Sequence, residues 1–97
     1  MFRHVVLFTF DESLPEGHID TLMRELPAYA ATLDGLVSYD CGPNAGVTEG
    51  ACDFGIVAVF ESEEAWRAYD TADEHNRIRA ELFKPWVSAR HVIQIRG

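Results

Sequence analysis

The segment Phe2–Phe10, F-R-H-V-V-L-F-T-F, decides the fold. Alternation places Phe2, His4, Val6, Phe8 and Phe10 on one face of a strand and Val5 and Leu7 on the other. Both faces are largely apolar, so the strand needs cover above and below; in a one-layer sheet the wet side would carry polar residues. The segment Asp53–Phe60 repeats the pattern, with Phe54, Ile56, Ala58 and Phe60 on one face and Gly55, Val57 and Val59 on the other. Two such strands predict a sheet that is covered on both sides.

Working outward, Ile19, Leu22, Met23, Leu26, Tyr29, Ala30 and Leu33 recur at three-and-four spacing and predict an amphipathic helix over about 15–33. Pro27 interrupts it, and since a mid-helix proline costs on the order of 3 kcal/mol, two shorter segments are the alternative. Asp34-Gly35 ends the helix, and Leu36–Gly42 reads as a strand with Val37, Tyr39 and Cys41 on one side. The loop Gly42–Gly50, G-P-N-A-G-V-T-E-G, matches no phosphate-binding spacing. Beyond the Asp53–Phe60 strand, Ser62 caps a helix whose Ala65, Trp66 and Tyr69 point inward. Thr71 with Glu74 reads as a capping box for a second short helix, with Asp73 as a competing cap. Ile78, Leu82 and Phe83 continue the inward face to Pro85, and Ala89–Arg96 is a last strand in which His91, Ile93 and Ile95 alternate with Arg90, Val92, Gln94 and Arg96.

The order β-α-β-β-α-β defines an α+β, ferredoxin-like unit: a four-stranded antiparallel sheet with its helices on one face. The apolar residues on the other face of strands 1 and 3 then predict a second sheet, supplied by an identical subunit through a two-fold axis. The expected architecture is a homodimer, forming a dimeric α/β barrel from domains that each span residues 1–97.

Composition narrows the partners. Sixteen acids against eight Lys and Arg give a net charge of −8, with no basic stripe, which argues against nucleic acid. No apolar run approaches the roughly 20 residues needed to span a bilayer, and the N-terminus lacks a secretory pattern, so the expectation is a cytoplasmic protein with no membrane partner. Cys41 and Cys52 lack a C-x-x-C spacing and are expected as free thiols. His4, His18, His75 and His91 fall at no metal-ligand spacing, so no metal is expected.

Chemistry concentrates between Ser62 and Arg79, where a phenol, Tyr69, precedes an imidazole, His75, by a short interval. A helix N-terminus disfavours imidazolium while Asp73 and Glu74 favour it; a neutral His75 could act as a general base, with Tyr69 donating to a carbonyl or enolate oxygen. The other reading is a buried tyrosine bonded to a structural histidine. His4 on its aromatic face is either a core histidine or a directional contact for a ligand. Phe8, Phe54, Phe60, Trp66, Phe83 and Trp86 are either core or the wall of a pocket for a small hydrophobic or aromatic ligand.

The opening R-H-V-V-L-F-T-F, the F-E-S-E-E-A that joins strand 3 to its helix, and the Tyr69-x5-His75 spacing together resemble the stress-responsive dimeric α/β-barrel (Dabb) family over essentially the whole chain. That family includes stress-induced plant proteins without an assigned reaction and a plant polyketide cyclase that works by intramolecular aldol condensation without metal or cofactor. The resemblance implies catalytic roles for Tyr69 and His75 and a place beside the pocket for His4. It departs from the family where a His-Pro pair is common, the positions here held by Ala72 and Asp73. The implied function is a cofactor-independent cyclase acting on a poly-β-keto intermediate. The alternatives are a non-catalytic stress or ligand-binding dimer and a cofactor-free monooxygenase.

Overall fold

The computed structural model describes residues 1–97. Its elements are β1 (Phe2–Phe10), α1 (His18–Ala30), β2 (Leu36–Pro43), β3 (Phe54–Phe60), α2 (Glu63–Thr71), α3 (Asp73–Ile78), a π-helical turn (Arg79–Phe83) and β4 (Val87–Arg96). The strands form a four-stranded antiparallel sheet in the order β2-β3-β1-β4. This is the ferredoxin-like α+β arrangement, with the two strands that are apolar on both faces in the centre.

The pairing Val6↔Ile56, His4↔Ala58 and Phe2↔Phe60 puts the Phe-rich faces of β1 and β3 on the same side. His18, Leu22, Leu26 and Ala30 of α1, Tyr69 of α2, Ile78 of α3 and Phe83 of the π turn are the buried residues of the helical layer. Phe83 stacks on Phe8 with ring centroids 4.4 Å apart. Each aromatic or branched side chain buried this way contributes roughly 1.5–3 kcal/mol, which is why the helices settle on this face. On the opposite face, Leu7, Val57, Ile93 and Ile95 stay exposed within the chain.

Three local expectations are corrected. Helix α1 runs unbroken through Pro27, because the proline and Met23, whose carbonyl loses its partner, both lie on the exposed side, where water can serve that carbonyl. The Thr71–Glu74 capping box does not form: Thr71 Oγ1 donates to the Arg67 carbonyl inside α2, Glu74 pairs with Arg77, and α3 starts from Ala72 without a side-chain cap. Val37 does not share a side with Tyr39 and Cys41, because the register shifts between Leu36 and Ser38 and leaves it exposed. Ser62 caps α2 as expected, its Oγ accepting from Ala65 N–H at 3.1 Å. Cys41 and Cys52 are free.

Candidate functional site

Tyr69 lies on the inward face of α2, and the helix stops two residues later. Ala72 adopts an extended conformation, φ −65° and ψ 142°, before α3 begins. The break matters: on one continuous helix, residues six apart would be rotated by about 240° from each other. The extended Ala72 instead folds α3 back so that the His75 ring lies 4.2 Å from the Tyr69 ring, centroid to centroid, at 47°.

His75 Nδ1 has two neighbours. The Asp70 carbonyl oxygen lies 3.1 Å away and Arg79 Nη2 lies 3.2 Å away, while the same Arg79 nitrogen donates to Asp70 Oδ1 at 3.0 Å. With its proton on Nδ1, His75 donates to the carbonyl and leaves Nε2 bare to accept a proton. With Nδ1 bare it accepts from the guanidinium, and Nε2–H becomes a donor. Both forms of the neutral ring therefore have a partner, a property suited to a group that takes a proton and returns it. Burial first, and the Arg79 charge second, hold the His75 pKa below the ordinary histidine range despite Asp70, so the ring is neutral at pH 7. Neither Asp73 nor Glu74, the acids expected to oppose this, is among the groups that move it. Burial pushes the Tyr69 pKa up, so its hydroxyl stays protonated and can donate.

His4 closes the cluster from β1. Its ring is 6.4 Å from Tyr69 and 5.6 Å from Trp66, and Gln94 Nε2 on β4 donates to His4 Nδ1 at 3.0 Å. That bond leaves the proton on Nε2. Burial, then Arg90, lower the His4 pKa to about 4.

These groups face a cavity of about 310 Å³ between sheet and helices. Of the residues singled out in the sequence, His4, Phe8, Tyr69, His75 and Phe83 line it. Phe54, Phe60, Trp66 and Trp86 do not. Phe54 and Phe60 are 1% and 0% exposed and serve the core; Trp66 packs on Phe2, and Trp86 packs on His18, whose Nε2 donates to the Leu82 carbonyl at 2.7 Å. The structure adds wall residues that spacing alone did not single out: Tyr29, Tyr39, Arg79, Lys84 and Arg90. The Tyr29 hydroxyl is buried without a partner, and its ring lies 6.1 Å from that of Tyr69. An unmet buried hydroxyl costs about 1–3 kcal/mol, so this wall has a donor in reserve for a ligand oxygen. Tyr29 sat on the predicted inward face of α1, and that was its only signal. Arg90 could be found only through the β1–β4 register, Phe8↔Arg90, which turns it to the helix side. No group of His, Cys, Asp and Glu side chains is arranged to hold a metal ion.

Fold and site together define a ferredoxin-like α+β protein with a Tyr–His pair in an apolar cavity under its helices. The chain belongs to the Dabb family, the stress responsive A/B barrel domain, whose profile matches residues 2–96. Among solved structures it is similar to a dimeric ferredoxin-like protein of unknown function from Thermobifida fusca, at 25% identity and a TM-score of 0.90, over 99% of this chain and 90% of that one. It is also similar to a Dabb family protein from Mesorhizobium loti, at 16% identity and a TM-score of 0.79, over 99% and 95% of the two chains. A third is the hydroxynitrile lyase from Passiflora edulis, at 14% identity and a TM-score of 0.80, over 97% and 90%. No curated protein matches the chain in sequence. No helix is long and apolar enough to cross a membrane.

Proposed function

We propose that the protein is a cofactor-independent enzyme that closes a ring in a poly-β-keto substrate by intramolecular aldol condensation. The observation that carries the reading is the Tyr69–His75 pair, 4.2 Å apart on the wall of a largely apolar cavity. A carbon between two carbonyls is already acidic, so a positioned neutral imidazole contributing about 10²–10⁴-fold, together with confinement of the chain, suffices without a metal. His75 Nε2 takes the proton; the enolate carbon attacks a second carbonyl of the same chain; Tyr69 donates to the oxygen that becomes the alkoxide, and the proton held by His75 returns to it. The Tyr29 hydroxyl and His4 Nε2–H are further donors for the remaining carbonyl oxygens.

The reading includes a cytoplasmic homodimer. Exposed Leu7, Val57, Ile93 and Ile95 on the open face of the sheet support a second sheet packed there, giving the dimeric α/β barrel. The relative from Thermobifida fusca is described as dimeric.

Incubation with a synthetic poly-β-keto thioester, followed by mass spectrometry, tests the activity. A cyclised product formed faster than in buffer, without oxygen consumption, is expected. No acceleration would leave a ligand-binding dimer as the better account, and oxygen uptake would point to a monooxygenase.

A further inference from the structure

We propose that the mouth of this cavity is an oxyanion rim, and that its ligand carries one carboxylate on an apolar or aromatic body. The inference rests on the reading of the cavity as a ligand site and adds the chemical class of what enters.

The chain holds sixteen acids and only eight Lys and Arg, yet the cavity lining includes Arg79, Lys84 and Arg90 and not one Asp or Glu. Different elements deliver these cations. Arg79 opens the π turn, Lys84 follows it, its N–H bonded back to the Arg79 carbonyl at 3.0 Å, and Arg90 leaves β4 opposite Phe8 on the helix side. Elsewhere the cations are mostly spent within the chain: Arg67 and Arg96 on Glu63, Arg77 on Glu74, and Arg3 on the Gly97 carbonyl. At the mouth, Lys84 and Arg90 have no ion-pair partner, and Arg79 shares itself with Asp70. Arg24 is also unpaired but does not line this cavity.

All three are exposed, which puts them on the solvent side of the lining, and cations there, two of them unpaired, leave a positive field that an anion relieves. Their field reaches the chemistry: Arg79 and Arg90 both act to lower the pKa values of His4 and His75. The rest of the lining is apolar, with Val6, Phe8, Ile56, Ile78 and Phe83, or neutral, with the Tyr side chains, His4 and His75, and carries no charge for a second charged end. Charge therefore belongs at the mouth and the apolar body beneath it. The planar fork of Arg90 suits a carboxylate, and Lys84 adds a point charge to the same lining. For the proposed reaction, this describes a substrate or product that presents a free carboxylate at the opening while the carbon skeleton lies against Tyr69 and His75.

Calorimetric titration of the full chain with 1-naphthoate and with the neutral 1-naphthamide tests the rim without any turnover. The acid is expected to bind about tenfold tighter or more, as charge-assisted contacts predict, with the preference shrinking as salt rises. In the K84Q/R90Q double variant, whose two sites are exposed, the preference should fall towards unity while amide binding persists. Equal binding of acid and amide, failure of both to bind, or an undiminished preference in the double variant would overturn the proposal. H75A separates the two claims: it should lose turnover yet keep the acid preference, so each can fail without the other.

Discussion

Replacing His4 with glutamine should flatten the pH dependence of stability in mildly acidic solution. His4 is 4% exposed, and burial, with Arg90 second, holds its pKa at about 4 against 6.5 in the unfolded chain. The unfolded chain thus takes up a proton that the folded one rejects. The contribution is fully present above pH 6.5 and is lost as pH falls. Each pH unit in the window removes about 1.4 kcal/mol, so about 2 kcal/mol is gone by pH 5 and about 3 kcal/mol by pH 4. Glutamine fills part of the same space, can still meet Gln94, and does not titrate. Urea unfolding followed by circular dichroism at pH 7.5 and pH 5, at one fixed protein concentration, reads the effect as the difference between the two pH losses. His75 and the carboxylates are common to both proteins and cancel. The variant should lose about 2 kcal/mol less than the wild type over this interval. Equal losses would refute the claim that the cavity wall holds a neutral His4.

Other perturbations probe other links. R79Q removes a charge that lowers the His75 pKa, so the acid limb of kcat/KM should move up towards the ordinary histidine range; an unmoved limb would deny the coupling. V57K or I93K places a charge on the exposed apolar face of the sheet and should convert the dimer to a monomer in light scattering, whereas an unchanged mass would place the interface elsewhere. Gly35 has φ +75°, and a Cβ there would lie 2.7 Å from Ala65 Cβ. G35A should therefore cost about 2 kcal/mol or more, a fall in Tm on the order of 10 °C, and an unshifted Tm would contradict the close approach of this turn to α2.

The fold was legible because two strands carry apolar residues on both faces, and only a central position in a covered sheet satisfies both. The Ser62 cap and the inward Tyr69 were legible for a similar local reason. The aromatic residues were harder to sort. Phe8 and Phe54 have the same chemistry, the same face and the same core cluster around Phe83, yet Phe8 lines the cavity and Phe54 does not. The charged part of the wall was not legible from spacing. The alternation along the last strand did not say which side faces the helices; the register puts Arg90, Val92 and Gln94 on the helix-side face with Phe8, Val6 and His4. They tolerate polarity there because β4 is an edge strand and Val92 remains 43% exposed, so the helical layer does not seal that margin. The Thr71 capping signal failed because its hydroxyl had a nearer carbonyl in its own helix.

The central claim is that His75 moves a proton while Tyr69 holds the oxygen. Single-turnover rates on a poly-β-keto thioester, measured for wild type, H75A and Y69F with dimer mass checked in each, test it most directly. The account predicts a loss of about 10²–10⁴-fold in H75A and a smaller loss in Y69F, with the dimer intact. Wild-type rates in H75A would contradict it.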